Sequence, residues 1–154
     1  MIKNKIIILF LVSLMNGAEN LSKINNFSFI NEESSSAVIL FEPNDIEIKS
    51  ENGKSKFITH DMIGLSMDEG KPQFPVYSTL FQIDPTKKYD FELEVLESYY
   101  IDDIEFENYK NDNNSDYSIY PDKNLYISEP QIWRDIVLNQ IGITPYKYLS
   151  LIHI

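Results

Sequence analysis

No cysteine occurs anywhere in the chain. The chain itself therefore holds no disulfide, no thiolate metal ligand and no cysteine nucleophile. Histidine is nearly as scarce: His60 and His153 are the only two in 154 residues. Neither belongs to a recognisable local triad pattern, which weakens a histidine-based hydrolase without excluding one, since triad members need not be adjacent in sequence. Positive charge is also short, with 13 Lys and Arg against 24 Asp and Glu and a formal net charge of −11. Phosphates would be repelled by that balance, which argues against nucleic acid as a partner. No apolar run approaches the roughly 20 residues of a membrane-spanning helix. Outside the N-terminal segment no helical period lasts beyond about two turns, and no internal repeat emerges.

The longest apolar run, Ile6 to Val12, follows Lys3 and Lys5 and is succeeded by the small residues Gly17 and Ala18. A basic start, a short apolar centre and a small-residue exit predict a secretory signal peptide over residues 1–18, with cleavage after Ala18. The rival readings are a buried N-terminal strand or a retained anchor. Cleavage removes Lys3 and Lys5 and no acid, so the formal net charge moves from −11 to −13. The expectation is an exported protein, secreted or at the cell surface, free of the membrane after processing. Residues 19–36 form a polar N-terminal segment, and residues 37–154 one domain. A chain of this size buries about 65–70% of its unfolded surface.

The rest reads as β. Ala37 to Phe41 is a buried-type run closed by Glu42-Pro43-Asn44-Asp45, and Asp45 to Lys49 alternates at period two. Asn52-Gly53 is the strongest short hairpin signal, because both residues accept φ > 0, and Lys56 to Thr59 is the returning strand. Gly70-Lys71-Pro72-Gln73-Phe74-Pro75 then forms a stiff turn into the apolar strand Val76 to Ile83. Its two prolines remove two donors and bar it from a helix interior or central strand, while Gly70 lets the chain reverse at positive φ. After Asp84-Pro85-Thr86, the residues Tyr89, Phe91, Leu93 and Val95 alternate with acids, predicting a strand with one face buried. Further strands are expected at 98–101, 102–106, 125–127 and 134–143, with Ile136, Leu138 and Ile143 as core positions. Short strands between turn signals predict an all-β, antiparallel β-sandwich.

Several patterns invite a chemical reading. Asp112, Asn114 and Asp116 open like a calcium loop, but Tyr117 stands where glycine makes the turn and Lys123 where the bidentate glutamate belongs. A solvated acidic loop accounts for them. Asp102, Asp103, Glu105 and Glu107 could pair as acid and base, although period two puts Asp103, Glu105 and Glu107 together on one solvated strand face. Tyr99, Tyr100, Tyr109, Tyr117, Tyr120 and Tyr126 could offer aromatic platforms to a sugar, or serve as ordinary strand residues. Trp133-Arg134 could meet a partner through a cation–π contact, whereas an isolated tryptophan is more often core. No catalytic, cofactor or metal site follows from these patterns.

The stretch Gly70, Pro72, Phe74 and Pro75, its strand and the turn at Pro85 resemble the Gly-x-Pro-x-Leu-Pro, strand, Ile-Pro progression in the propeptide of gingipain-type cysteine peptidases. Tyr120-Pro121, then Arg134 and the Pro145-Tyr146-Lys147-Tyr148 element, are similar to that family's Tyr-Pro, Arg-containing strand and Pro-Phe-x-Tyr elements. Order and approximate spacing agree over Gly70 to Ser150, about half of the chain. Phe74 replaces the usual Leu, Asp84 stands before Pro85 in place of Ile or Val, and Tyr146 stands for Phe. The resemblance implies a non-catalytic prodomain that assists folding of a cysteine peptidase and keeps it latent by covering its active-site cleft. The peptidase domain, with its Cys and His, would lie downstream, so a sandwich truncated at its C-terminal end and prone to poor solubility is expected. The competing expectations are an exported adhesion or carbohydrate-binding module and an exported hydrolase with convergent carboxylates.

Overall fold

The computed structural model describes residues 12–13, 26–33, 36–43, 46–59, 63–98, 100–110 and 118–149. Outside the described residues lie the loop with Asp112, Asn114 and Asp116, both histidines, and the expected export segment apart from Val12 and Ser13. The strands are β1 (Val12–Ser13), β2 (Phe27–Glu33), β3 (Ser36–Phe41), β4 (Glu47–Glu51), β5 (Lys54–Ile58), β6 (Gly64–Leu65) and β7 (Pro75–Gln82). They continue as β8 (Phe91–Glu92), β9 (Ile119–Tyr120), β10 (Leu125–Ile127), β11 (Gln131–Trp133), β12 (Ile136–Ile143) and β13 (Tyr148–Leu149). Among the described residues there is no helix, and all strand pairs are antiparallel. The all-β expectation therefore holds.

The central sheet runs β10-β12-β7-β6, with β11 also paired to β12. Its long pair, β7 with β12, places Tyr77 opposite Ile143, Thr79 opposite Ile141 and Phe81 opposite Asn139. Odd-numbered residues thus share one face, and that face is the core side: Tyr77, Phe81, Ile141 and Ile143 are buried. Against it lies the β2–β3 hairpin, which contributes Phe27, Ile39 and Phe41. The Phe41 ring meets Phe27 at 5.0 Å and Tyr77 edge-on at 5.1 Å. Two antiparallel layers closed face to face in this way make a sandwich.

A second cluster collects Phe57, Phe74, Phe106, Tyr120, Tyr146 and Tyr148. Phe74 is fully buried, and four rings of the cluster surround it, with centroids from 5.4 to 6.3 Å away. The stiff turn explains its placement. Gly70 takes φ 74°, as its position before the prolines requires. Pro72 and Pro75 donate nothing; of the donors that remain, Gly70 N–H goes to the Tyr109 carbonyl at 2.9 Å, Lys71 N–H to the Asp68 carbonyl at 3.1 Å and Phe74 N–H to the Ser66 hydroxyl at 2.9 Å. Ser66 N–H in turn donates to the Phe74 carbonyl at 2.8 Å. Pro75 then begins β7, the first-residue position at which a sheet tolerates proline.

The Asn-Gly hairpin forms as expected. Asn52 and Gly53 adopt φ 53° and 79°, and Glu51 pairs with Lys54. Other expectations need correction. The strands expected over 98–106 are absent; apart from Tyr99, which lies outside the described residues, the chain there is irregular, with a positive φ of 62° at Asp103. It attaches through a one-residue bridge from Ser55 to Phe106. The alternating segment Tyr89 to Val95 does pack Tyr89, Phe91 and Leu93 against the first core, but only Phe91–Glu92 pairs and Val95 is exposed. In β12 the core residues are Ile141 and Ile143, while Ile136 and Leu138 are half-buried on the even face. Residues 27–33 of the polar N-terminal segment form β2 and supply Phe27 to the core.

Replacing Phe74 by Ala should lower stability by about 3–5 kcal/mol, since the ring fills a closed aromatic cluster. Gly70→Ala, forced to positive φ, should cost about 1 kcal/mol. Urea unfolding followed by tyrosine and tryptophan fluorescence measures both. A Phe74→Ala loss under about 1 kcal/mol would show that the cluster collapses around the hole instead of depending on the ring.

Candidate functional site

The residues that carry the resemblance do not form a reactive site. Gly70, Pro72, Phe74, Pro75, Pro121, Pro145 and Tyr148 are buried, converging on or beside the second aromatic cluster. Pro145 shows how such a landmark is held. The buried Asn124 amide donates to the carbonyls on either side of it, Thr144 at 2.6 Å and Tyr146 at 3.3 Å, and Thr144 N–H donates back to the Asn124 carbonyl at 2.9 Å. That ladder fixes the approach of β13, where Tyr148 pairs with Tyr120 of β9. Pro85 and Arg134 stand apart from the cluster, both exposed in turns. At Pro85 the turn is organised by Asp84, whose carboxylate accepts from Thr86 N–H at 3.0 Å and Thr86 Oγ1 at 2.7 Å.

Two exposed surfaces stand out among the described residues. One is the tip of the β11–β12 hairpin. Arg134 turns the chain there with φ 56°, and Ile132 and Trp133 just before it are 78% and 65% exposed. Of the two readings of the lone tryptophan left open by the sequence, the core position is therefore the one that fails. Successive strand residues point to opposite faces, so the hairpin is apolar on both sides at its tip.

The other surface is a groove of about 420 Å³ between the β9–β10 connection and the Gly70 turn, lined by Asp68, Glu69, Tyr120, Pro121, Asp122 and Tyr126 among others. Tyr120 donates its hydroxyl to Asp68 Oδ2 at 2.7 Å. The Tyr120–Pro121 peptide is cis. Burial pushes the Tyr120 hydroxyl well above its ordinary range, and the Asp68 carboxylate adds to the shift. The Tyr126 hydroxyl also moves up, first from burial and then from Asp68 and Asp122. Lys71, Lys123 and Ile119 complete the lining.

Neither a family model, nor a curated protein, nor a solved structure matches the chain. Its likeness to gingipain-type propeptides therefore rests on the ordered sequence elements alone.

The acidic residues of the 102–107 stretch do not converge. Asp102, Asp103, Glu105 and Glu107 are all exposed, and Glu105 pairs with Lys54 at 2.9 Å. Among the described residues no three His, Cys, Asp or Glu side chains group as a metal site. The tyrosines instead divide by burial. Tyr77, Tyr120, Tyr146 and Tyr148 are core, whereas Tyr126 is 45% and Tyr100 54% exposed. Sequence reasoning could name these tyrosines but not sort them, because the β9–β13 pairing that buries Tyr120 and Tyr148 joins segments 28 residues apart.

Burial pushes the Tyr77 hydroxyl up to about 12, with Tyr146 acting weakly against it, and raises Tyr148 as well. A proton held more tightly in the folded chain stabilises it fully below the unfolded tyrosine pKa of about 10. That contribution is lost as pH rises through 12. Urea unfolding at several pH values should show stability falling from about pH 10 to 12, and Tyr77→Phe should flatten the fall. An unchanged alkaline slope in Tyr77→Phe would contradict the assignment.

Proposed function

We propose that this chain is a non-catalytic binding domain that docks on a partner protein through the β11–β12 hairpin. The exposure of Ile132 and Trp133 on opposite faces of one hairpin tip supports this most directly. Large apolar side chains so placed lose contact with water only when a partner closes around them, and Trp and Arg are the residue types that most often anchor such contacts. Arg134 at the turn adds a planar cation beside the indole. The ordered proline and aromatic elements supply the partner class. By that resemblance the chain is an exported prodomain, and its partner is the cysteine peptidase domain whose cleft it covers and whose folding it assists.

Inhibition kinetics on the catalytic domain of a gingipain-type peptidase, assayed with a peptide substrate, provide the test. The chain should slow hydrolysis, and Trp133→Ala should weaken inhibition about 30-fold, the effect of removing a 2 kcal/mol anchor. Because Trp133 is exposed, its replacement should leave urea stability within about 0.5 kcal/mol of the parent. Full inhibition by Trp133→Ala would remove the hairpin from the interface, and no inhibition by the parent would remove the peptidase as partner.

A further inference from the structure

We propose that the groove beside Tyr126 binds a neutral oligosaccharide, at a site separate from the hairpin tip. Tyr126 sits in β10 between Leu125 and Ile127, both packed against the first core, so strand alternation turns its ring outward. Its cross-strand partner on β12 is Gly142, and Gly142 in turn faces Ser78 on β7. The sheet surface beside the ring is therefore low. A second shallow groove of about 470 Å³ opens over Gly142, Gly64, Ser78 and Gln140, and Tyr126 lines it too. Tyr126 thus lines both grooves, of about 420 and 470 Å³.

The lining matches the ligand's chemistry. A pyranose offers an apolar C–H face and a rim of hydroxyls that each donate and accept. An exposed tyrosine ring suits the face. Asp68 and Asp122 accept hydrogen bonds, Lys123 donates them, and the Gln140 amide offers both on the second side, where the Ser128 hydroxyl already donates to the Glu129 carbonyl and accepts from Gln140 N–H. Asp68 is already oriented, because Tyr120 donates to its Oδ2 at 2.7 Å from within the core cluster. A cationic ligand would meet Lys71 and Lys123 in the same groove, and an anionic one would meet Asp68, Glu69 and Asp122 on a chain of net charge −11. A neutral polyhydroxylated ligand avoids both conflicts.

Calorimetric titration of the full chain with cellopentaose, xylopentaose, mannopentaose, laminaripentaose and chitopentaose tests this, with pentalysine as the cationic competitor. At least one sugar should bind with a Kd between about 10 μM and 1 mM. Tyr126→Ala should weaken that binding about tenfold, the worth of one aromatic contact, while Tyr126→Phe retains most of it. Asp122→Asn should weaken it as well. Trp133→Ala should leave it unchanged, which separates this site from the hairpin and lets either proposal fail alone. Absence of binding by all five sugars, binding of pentalysine in their place, or full affinity in Tyr126→Ala would each overturn the assignment.

Discussion

Phe74 is the residue on which the second aromatic cluster converges. The prolines on either side leave the turn few backbone donors, and the Ser66 hydroxyl accepts the Phe74 N–H. With the backbone so pinned, the ring has one direction left, into the space where Phe57 of the β4–β5 hairpin, Phe106, Tyr120 and Tyr146 meet it. Those contacts tie together residues 57 to 146 of a chain that has no disulfide to do so. An aromatic cluster can serve this purpose because each ring removes a large apolar area from water and adds edge-to-face attraction.

The two cores are coupled. Ile46 packs against both, and Tyr77 of the first has Tyr146 of the second beside its hydroxyl. The β7–β12 pair runs along this junction. Its odd residues build the core, while its even residues and the strands beside it carry the exposed surfaces. Along one edge of β12, β10 pairs with Leu125 to Ile127 and β11 with Gln131 to Trp133. Between them Ser128 N–H donates to the Gln140 carbonyl and Gln140 N–H to the Ser128 hydroxyl, so the interruption stays attached to the sheet. Pro130 follows, lacking a donor, a common device on exposed sheet edges. Tyr126 and Trp133 are consequently held against one partner strand, β12, as separate features.

Local rules made much of the fold legible. The Asn52-Gly53 turn, the positive φ of Gly70 and the strand expected from Val76, which the structure starts one residue earlier at Pro75, all follow from backbone sterics at single residues. What failed needed distant partners. Ile136 and Leu138 look as apolar as Ile141, and only the register against β7 shows that parity puts them on the other face. The acidic stretch at 102–106 has β-like alternation, yet it finds only the bridge from Ser55 to Phe106, so no ladder forms. The candidate surfaces were harder still. Trp133 is exposed because Arg134 turns the hairpin back at its tip, and nothing in the local sequence distinguishes that from burial.

This division bears on what a sequence likeness can transfer. Pro72, Phe74, Pro75, Pro121, Pro145 and Tyr148 are buried at the second core, where packing alone is sufficient reason for their types and spacing. A chain could keep all of them for the sake of the fold while changing what its surface binds. The residues that would carry binding, Ile132, Trp133 and Tyr126, are exposed, and core packing makes no demand that they be apolar or aromatic. Their exposure does not improve the core, so under the two proposals above the reason for it lies outside the core. For Ile132 and Trp133 that reason must reach both faces of the hairpin tip, which a flat contact cannot do. For Tyr126 it must fit between carboxylates and lysines that oppose ligands of either charge. The two proposed contacts thus call for ligands of different chemistry on one sheet.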